Sequence, residues 1–277
     1  MQIVFTDGLG NQMFQYALYL SLRYHGRNPK INTGIIIRNI VHNGFEICED
    51  FKIDIDSLPL TMTGKISGGI TIIADRYLKF LCYHQDIESF SEEVFTTHKP
   101  FVSGYWQDAR YFKEVEEQVR EAFVFRNIDE KNLVMTDEMN KCNSVSLHIR
   151  RGDYLKYPNY QVCTPEYYEK AIVEVKKRVE NPIFYIFSDD LVWSEDFVKS
   201  YGLDYRIVDH NRGKDSYKDM YLMTQCKHNI IANSSFSWWG AWLGEKKDRV
   251  VVCPEIWLRN HTMNPCLDNW IKVRIKL

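Results

Sequence analysis

From residue 144 onward, the chain alternates between short apolar segments and segments whose apolar residues recur at helical spacing. The apolar segments predict β-strands at 144–149, 183–187, 205–208, 229–232 and 250–253. The segments between them predict α-helices at 166–179, 193–200, 216–225 and 236–243. Strands that are apolar throughout and separated by helices are typical of a parallel sheet covered on both faces. The second half of the chain therefore predicts a Rossmann-like β/α domain, in which ligands bind at the carboxyl ends of the strands.

The first half of the chain begins with a similar but less regular pattern. Residues 3–5 predict a strand, 8–10 a glycine turn and 14–25 a helix, which is the start of a second β/α domain. Residues 34–37 predict a buried strand, and 109–123 predict another long helix. The order of the elements over 28–100 stays open. The polar segment 127–143 predicts the connection, so we expect domains at 1–143 and 144–277.

Composition restricts the compartment and the kind of partner. Lys and Arg number 35 against 37 Asp and Glu, so the chain has no overall basic field and we expect no nucleic-acid partner. The seven cysteines are scattered, with no C-x-x-C pair, which argues against a disulfide framework or structural zinc and indicates a reducing compartment. Cys82 and His84 are the nearest approach to a metal pair, and no second pair lies nearby. No spanning segment or signal peptide is evident, so we expect a cytoplasmic protein.

Charged residues end the first strand of the predicted second domain, where a ligand is expected. Side chains alternate along a strand, so His148 and Arg150 share one face and Arg151 points the other way. Arginine offers planar, permanently charged donors suited to a pyrophosphate. One arginine is predicted to bind phosphate and the other to form a structural ion pair. The alternative is that all of these are surface charges after a core strand.

Hydroxyl, amide and carboxylate groups follow two further strands. The second strand ends in Ser188, Asp189 and Asp190, and the fourth runs into the segment 233–240, Asn-Ser-Ser-Phe-Ser-Trp-Trp-Gly. Residues at the start of the following helix can direct its free N–H groups toward an anion, with help from the helix dipole. An ordinary helix cap is the alternative, although the segment holds more hydroxyl groups than a cap requires.

Two short patterns in the first half suggest other chemistry. Residues 8–13, Gly-Leu-Gly-Asn-Gln-Met, resemble the start of a dinucleotide fingerprint, but Met13 replaces its third glycine and no ribose-binding acid follows ~20 residues on. An oxidoreductase stays an alternative, while Asn11 and Gln12 favour polar recognition of a hydroxylated ligand. Asp54 and Asp56 match a D-x-D cation pattern that is expected by chance in such a chain, and we interpret them as loop charge.

Four segments together resemble the motifs of the α-1,2-fucosyltransferases, glycosyltransferase family 11. They are residues 8–17 (GLGNQMFQYA), 148–154 (HIRRGDY), 187–190 (FSDD) and 233–243 (NSSFSWWGAWL), in that family's order. The HxRRxD element is shared with α-1,6- and protein O-fucosyltransferases, whereas the first segment is specific to the α-1,2 group. The resemblance implies a GT-B-like α/β fold, with two Rossmann-like β/α domains facing each other across a cleft.

The resemblance also implies roles for individual residues. Arg150 is expected to bind the β-phosphate of the donor, and Asn11 to contact acceptor or fucose. Asp153 is expected to act as general base, with Asp7 as the alternative base, or else to anchor Arg150 or Arg151 in an ion pair. His148 and Asp189 or Asp190 are expected at the guanosine. The expected donor-binding residues are His148, Arg150, Arg151, Ser188, Asp189, Asp190, Asn233, Ser234, Ser235, Phe236 and Ser237.

The reaction implied is an inverting transfer of L-fucose from GDP-fucose to the 2-hydroxyl of a terminal galactose in an oligosaccharide or surface polysaccharide, without metal or cofactor. Fucosyl transfer with another linkage and a non-catalytic carbohydrate-binding protein are the alternatives. Tyr105 and Trp106 either stack on the acceptor sugar or belong to the core. Peripheral contact with the cytoplasmic face of the inner membrane and the oligomeric state stay open.

Overall fold

The chain folds into two compact units, Met1–Asn127 and Ile128–Leu277. The computed structural model describes residues 1–38, 43–61, 73, 79–244 and 246–276. Each unit contains its own sheet of parallel strands with helices between them, in the orders β2-β1-β4-β3 and β10-β9-β8-β5-β6-β7. The expected α/β architecture with two Rossmann-like units is therefore confirmed.

The first unit has short strands and one long helix. Its strands are β1 (Gln2–Val4), β2 (Lys30–Asn32), β3 (Cys82–His84) and β4 (Phe101–Ser103). Its helices are α1 (Leu9–Tyr24), α2 (Gly34–Arg38), α3 (Ile47–Asp50), α4 (Glu93–Thr96) and α5 (Glu116–Ala122), with 3-10 turns at Ile55–Ser57, Lys79–Leu81 and Ala109–Val115. Helix α1 is buried along most of its length, which explains the apolar residues around its circumference.

Local hydrogen bonds changed several predicted elements of the first unit. The glycine turn at 8–10 is the first turn of α1, because the Gly8 carbonyl already accepts from the Asn11 and Gln12 N–H groups. The strand predicted at 34–37 is wrong: these residues form α2. The Asn32 side chain accepts from the Gly34 N–H and the Thr33 carbonyl from the Ile37 N–H, so the chain coils despite the strand preference of isoleucine.

The helix predicted at 109–123 is divided. A 3-10 segment, Ala109–Val115, leads into the α-helix α5, Glu116–Ala122. The break falls at Phe112, whose φ of −134° is not helical. The apolar stripe seen in the sequence nevertheless faces inward, since Phe112, Val115 and Val119 are buried.

The second unit follows the predicted alternation. Its strands are β5 (Asn143–Ile149), β6 (Pro182–Ser188), β7 (Tyr205–Ile207), β8 (His228–Ile230), β9 (Val251–Pro254) and β10 (Ile271–Val273). Its helices are α6 (Glu130–Asn140), α7 (Pro165–Lys176), α8 (Leu191–Ser200), α9 (Tyr217–Gln225) and α10 (Ser235–Leu243), with 3-10 turns at Asp153–Lys156, Pro158–Tyr160 and Gly213–Ser216. The predicted strands and helices of this half are confirmed with small shifts at their ends, whereas α6 and β10 were not predicted.

The boundary between the units lies earlier in the chain than the predicted 143/144. The segment expected to connect the domains forms α6, which belongs to the second unit. Asp129, its N-cap residue, makes an ion pair of 2.8 Å with Lys218, and Asn132 donates to Asn211 at 3.0 Å. A polar sequence therefore forms an integrated helix, because its charged and amide groups have partners on and before α9.

The alternation along β5 separates the core into two layers. Val145, Leu147 and Ile149 pack with residues of α7 and α8, whereas Phe187 and Tyr185 of β6 pack on the other face with residues of α6 and α9. His148 is on this second face by alternation, and its ring lies 6.2 Å from that of Phe236 in α10. The end of β5 therefore projects its polar side chain toward the start of α10.

The seven cysteines all fall within the described ranges, and all are free thiols. This agrees with the expectation that the chain is not built on a disulfide framework. In the part of the chain that the structure describes, no helix combines the length and the apolar character needed to cross a bilayer.

Candidate active site

Three strands of the second unit end side by side and bring the predicted donor-binding residues together. Strand β5 lies between β8 and β6 in the sheet, and all three are parallel. Their carboxyl ends lead into the segments that hold Arg150 and Arg151, Asp189 and Asp190, and Asn233. The side chains that were expected to share a site are thus adjacent at one edge of one sheet.

Arg150 is held by three groups. One guanidinium nitrogen lies 2.6 Å from Oδ1 of Asp153 and another lies 3.0 Å from Oδ2 of Asp189. The guanidinium carbon is 5.2 Å from the centroid of the Tyr154 ring, within the range of a cation–π contact. The side chain is a quarter exposed (25%), so a fixed and oriented positive charge is accessible at the sheet edge.

Arg151 is turned toward helix α8. Its Nε donates to Oδ2 of Asp190 at 3.0 Å, and its guanidinium carbon lies 3.9 Å from the ring centroid of Trp193. Asp190 also caps α8 by accepting from the Trp193 N–H. Both arginines are therefore paired with carboxylates, and their side chains are exposed to a similar extent, 25% for Arg150 and 22% for Arg151.

Asp189 and Ser188 organise this edge through local contacts. Asp189 accepts from the Arg151 N–H at 2.9 Å in addition to its ion pair with Arg150. The Ser188 hydroxyl accepts from the Asp190 N–H and from the Ser194 hydroxyl. The carboxylates that were expected at the guanosine thus hold the two arginines and the start of α8.

Gly152 allows the close approach of Asp189. A Cβ atom at this position would lie 2.6 Å from Oδ2 of Asp189, which is shorter than contacts that real Cβ atoms make. The loop after β5 can therefore pack on the carboxylate only because residue 152 has no side chain.

His148 has an unpaired nitrogen at the same edge. The residue is only 7% exposed, and within the described residues its Nδ1 has no hydrogen-bond partner. Burial, assisted by the charge of Arg150, lowers the pKa of His148 to about 3, so the ring is neutral near pH 7. Buried polar atoms nearly always have partners, and an unpaired one beside a strand end indicates a position where a ligand or water binds.

At the start of α10, some side chains are hydrogen-bonded to the backbone, whereas the N–H groups of the first turn have no side-chain cap. Asn233 donates from Nδ2 to the carbonyls of Tyr160 and Trp257, each at 3.0 Å, and Ser237 donates to backbone carbonyls of its own turn. Ser234 is the N-cap residue, but its side chain makes no capping bond to the helix N–H groups. The first turn of α10, with Ser235 partly exposed, can therefore present N–H groups to an anion.

Sequence reasoning assigned no role to three aromatic side chains at this edge. The Tyr154 hydroxyl donates to the Asn233 carbonyl at 3.2 Å, and the Tyr168 hydroxyl accepts from the Arg150 N–H at 3.3 Å. Trp193 stacks beside Arg151 as described above. Tyr154 and Trp193 lie within a few residues of predicted site residues, which was the available signal, whereas Tyr168 is distant in sequence and offered none.

The first unit has a polar turn of its own after β1. Asp7 has a left-handed backbone with φ 63°, which is uncommon for a residue other than glycine, and it accepts from the Thr6 hydroxyl. Asn11 accepts from Nε2 of Gln107 at 2.7 Å. Gln12 is fully buried and donates to backbone carbonyls, so it holds the turn and is not available for the ligand contact that its position suggested.

Other candidates from the sequence have structural roles. Trp106 is fully buried and stacks on Tyr83, so it belongs to the core, whereas Tyr105 is 36% exposed. Asp54 accepts from the Asp56 N–H in an exposed turn, as expected for loop charge. Among the residues that the structure describes, no group of three or more His, Cys, Asp or Glu side chains is arranged to share a metal ion.

A family model decides the classification. The model of Glycosyl transferase family 11 matches residues 70–274, which is more than half of the chain. The chain belongs to glycosyltransferase family 11. The resemblance deduced from the four sequence segments is therefore confirmed.

Curated relatives of this family 11 chain carry related names. It is 33% identical to the alpha-1,2-colitosyltransferase of Escherichia coli, and the match covers 97% of both chains. It is 30% identical to the O-antigen biosynthesis glycosyltransferase WbnK of Escherichia coli, over 97% of this chain and 98% of the relative. The human galactoside alpha-(1,2)-fucosyltransferase 1 is 26% identical over 55% of this chain and 46% of its own length.

Solved structures support the fold class. A mutant of Arabidopsis thaliana FUT1, solved in complex with GDP, matches with a TM-score of 0.51 and 12% identity, over 92% of this chain and 70% of that chain. Together with the two parallel sheets, this likeness confirms the GT-B class of fold that the resemblance implied.

Charged side chains of both signs are concentrated at this edge of the sheet. Two guanidinium groups and three carboxylates meet there, belonging to Arg150, Arg151, Asp153, Asp189 and Asp190. The carboxylates outnumber the guanidinium groups, so they fix the arginines in place at a cost in positive potential. An anionic ligand at this edge must therefore draw on the uncapped N-terminus of α10 as well as on the arginines.

Proposed function

We propose that the chain is an inverting galactoside α-1,2-fucosyltransferase that uses GDP-fucose. It transfers L-fucose to the 2-hydroxyl of a terminal galactose in an oligosaccharide or surface-polysaccharide unit. The observation that carries the proposal is the partly exposed guanidinium of Arg150 at the carboxyl end of β5. The same edge of the sheet holds His148, whose Nδ1 has no partner in the described chain, and the start of α10, which has no side-chain cap. Family membership and the names of the relatives support the reaction class.

Arg150 is the proposed group for the leaving pyrophosphate. Negative charge builds on the β-phosphate as the bond from the anomeric carbon breaks, and a preoriented positive charge stabilises that change. A guanidinium carries five N–H donors, of which the ion pairs with Asp153 and Asp189 engage two nitrogens. The remaining donors and the N–H groups of the first turn of α10 would share the phosphate oxygens.

Asp153 is the proposed general base. Its side chain is about half exposed (46%) and is paired with Arg150, with Oδ1 as the contacting atom. When phosphate engages Arg150, the carboxylate is available to accept the proton of the acceptor hydroxyl while the new bond forms on the opposite face of the sugar. Asp7 in the first unit is the alternative base. Arg150 and the N–H groups at the start of α10 would take the role that a cation serves in metal-dependent transferases, so we propose a metal-independent reaction.

His148 is proposed to contact the guanosine. A neutral imidazole offers one donor and one acceptor nitrogen, and its Nδ1 lacks a partner within the described chain. Asn11 is proposed to contact acceptor or fucose from the first unit, where its Oδ1 is already oriented by Gln107. One relative is named as an O-antigen biosynthesis enzyme, and this name supports a surface-polysaccharide unit as the acceptor. The proposed donor is a cytosolic sugar nucleotide.

Colitose is a second candidate for the transferred sugar. One relative, 33% identical over 97% of the chain, is named an alpha-1,2-colitosyltransferase. Colitose is fucose without its 3-hydroxyl, so the two donors would place the same diphosphate against Arg150 and differ only at one sugar position. A comparison of the two GDP-sugars distinguishes these candidates directly.

The test is transfer of radiolabelled fucose to a β-galactoside, with and without EDTA. We expect transfer that survives the chelator and a product whose linkage is α-1,2 by NMR. Arg150→Ala is expected to lower the rate by about 100-fold or more. Arg206→Ala is the matched control, because Arg206 is exposed and paired only locally with Asp204. A near-normal rate in Arg150→Ala would eliminate the proposed role, and transfer from GDP-colitose alone would favour the second candidate.

A further inference from the structure

A short segment after β5 is attached at both ends to Asn233, which lies two residues before the start of α10. The segment comprises residues 153–160 and contains two 3-10 turns. Near its start, the Tyr154 hydroxyl donates to the Asn233 carbonyl at 3.2 Å. At its end, the Tyr160 carbonyl accepts from Nδ2 of Asn233 at 3.0 Å. Asn233 itself is anchored by a second bond to the Trp257 carbonyl.

Tyr154 also contacts the group proposed to bind phosphate. Its ring centroid lies 5.2 Å from the guanidinium carbon of Arg150 and 4.9 Å from the ring of Tyr160. Asn233, whose carbonyl accepts from the Tyr154 hydroxyl, directly precedes Ser234, the N-cap residue of α10. One side chain therefore contacts Arg150 with its ring and, with its hydroxyl, the backbone that leads into α10.

The Tyr154 hydroxyl stays protonated, so its hydrogen bond to the Asn233 carbonyl does not depend on pH. Burial raises the pKa of the Tyr154 hydroxyl far above its usual value, so the group remains protonated and keeps donating over any working pH. Arg150 follows β5 and α10 follows β8, which are adjacent strands of the sheet. Beyond the ends of these strands, the Tyr154 side chain links the two segments directly across 79 residues of sequence.

We propose that Tyr154 is a positioning residue for the transfer reaction, which sets Arg150 against the first turn of α10 so that both act on the same phosphate. This inference rests on the proposed function, because it assumes that Arg150 and α10 bind the leaving diphosphate together. The ring and the hydroxyl have separate roles. The ring orients the guanidinium, and the hydroxyl positions the start of the helix.

Two variants separate those parts. Tyr154→Phe removes only the hydroxyl, and the loss of one neutral hydrogen bond is expected to lower kcat about fivefold. Tyr154→Leu also removes the ring, and misplacement of Arg150 is expected to lower kcat about 100-fold. The KM for the acceptor should stay unchanged in both. Tyr157→Phe is the matched control, since Tyr157 is 58% exposed in the same segment and is expected to keep wild-type activity.

A double-mutant cycle shows whether Tyr154 acts through Arg150. We expect Tyr154→Leu to cause little further loss of kcat when it is added to Arg150→Lys, because the group that it positions is already impaired. Unchanged kcat per folded enzyme in both Tyr154 variants, with only a lower Tm, would show a merely structural role and overturn the inference. So would fully additive losses in the cycle. If Tyr154→Leu does not fold, the kcat of Tyr154→Phe decides.

Titration of the wild-type protein with GDP separates this inference from the proposed function. If the wild-type protein neither binds GDP in a calorimeter nor transfers fucose, the proposed function fails and the inference fails with it. If it binds GDP and transfers fucose while Tyr154→Phe and Tyr154→Leu keep wild-type kcat, only the inference fails. If it does both and the variants lose kcat in the expected order, both are supported.

Discussion

His148 should make the folded protein sensitive to acid. Burial, with a contribution from the Arg150 charge, lowers its pKa from 6.5 to about 3 in the folded state. A group whose folded pKa is depressed stabilises the fold above its unfolded pKa, and that stabilisation is lost as the pH falls toward the folded value. The window for His148 therefore extends from about pH 6.5 down to about pH 3.

The magnitude follows from the two pKa values. At pH 4 an unfolded histidine is almost fully protonated and the folded one is mostly neutral, so the free energy of unfolding falls by about 3 kcal/mol relative to pH 7. That is a substantial fraction of the ~5–15 kcal/mol that stabilises a typical domain. His148→Phe removes the titrating group and its unpaired Nδ1 while it keeps an aromatic ring against Phe236.

The assay is urea unfolding of wild type and His148→Phe at pH 7, 5 and 4. We expect the wild type to lose about 3 kcal/mol more than the variant between pH 7 and pH 4. His98→Phe is the control, because His98 is exposed and its loss should leave the wild-type difference between the two pH values intact. Equal losses in wild type and His148→Phe would refute the reasoning that burial keeps this ring neutral.

Three further changes test other parts of the second unit. Gly152→Ala should lower the transfer rate ~10- to 100-fold with little loss of Tm, because the alanine Cβ would displace the Asp189 carboxylate. A wild-type rate in this variant would contradict the packing described. Burial raises the pKa of Asp219 to about 7, so its stabilising effect is lost as the pH rises from about 4 to 7. Asp219→Asn should therefore gain stability relative to wild type by up to ~2–3 kcal/mol between pH 5 and pH 8 in urea unfolding, whereas a constant difference would refute this. Trp193→Leu should cost ~1 kcal/mol in the same assay through the lost contact with Arg151, and an unchanged midpoint would show that the stacking contributes nothing.

The second unit could be predicted well because its elements are specified locally. Strands such as β5 and β6 are apolar along their length and are separated by helices with an apolar face, so each element carries its own pattern. The parallel arrangement then follows from the βα alternation. The short strand β10, Ile271–Val273, was not among the predicted strands.

The first unit departed from prediction where single hydrogen bonds decide the conformation. Three isoleucines form the helix α2 because Asn32 and Thr33 turn the chain just before them. Helix α6 joined the second unit because Asp129 and Asn132 have partners near α9. Propensity is a weak preference of at most about 1 kcal/mol per residue, and contacts with distant residues readily exceed it.

The candidate site divides in the same way. The sequence showed that Arg150, Arg151 and Asp189 end strands of a parallel sheet, and the βα pattern was sufficient to expect them near one another. It left open which arginine is engaged in a structural pair. In the structure both arginines form ion pairs and both stay partly exposed: Arg151 contacts Asp190 and Trp193. Arg150 contacts Asp153 and Asp189.

The sequence by itself therefore determined the residue types at each strand end, the alternation that faces His148 to one side and the family to which the chain belongs. Only the tertiary structure decided that the Tyr154 hydroxyl meets Asn233, that Asp189 fills the space above Gly152 and that Nδ1 of His148 has no partner in the described chain. The physical reason is that strand patterns arise from neighbouring residues, whereas these contacts depend on β8, β5 and β6 lying side by side, and sheet order is set by packing of the whole unit.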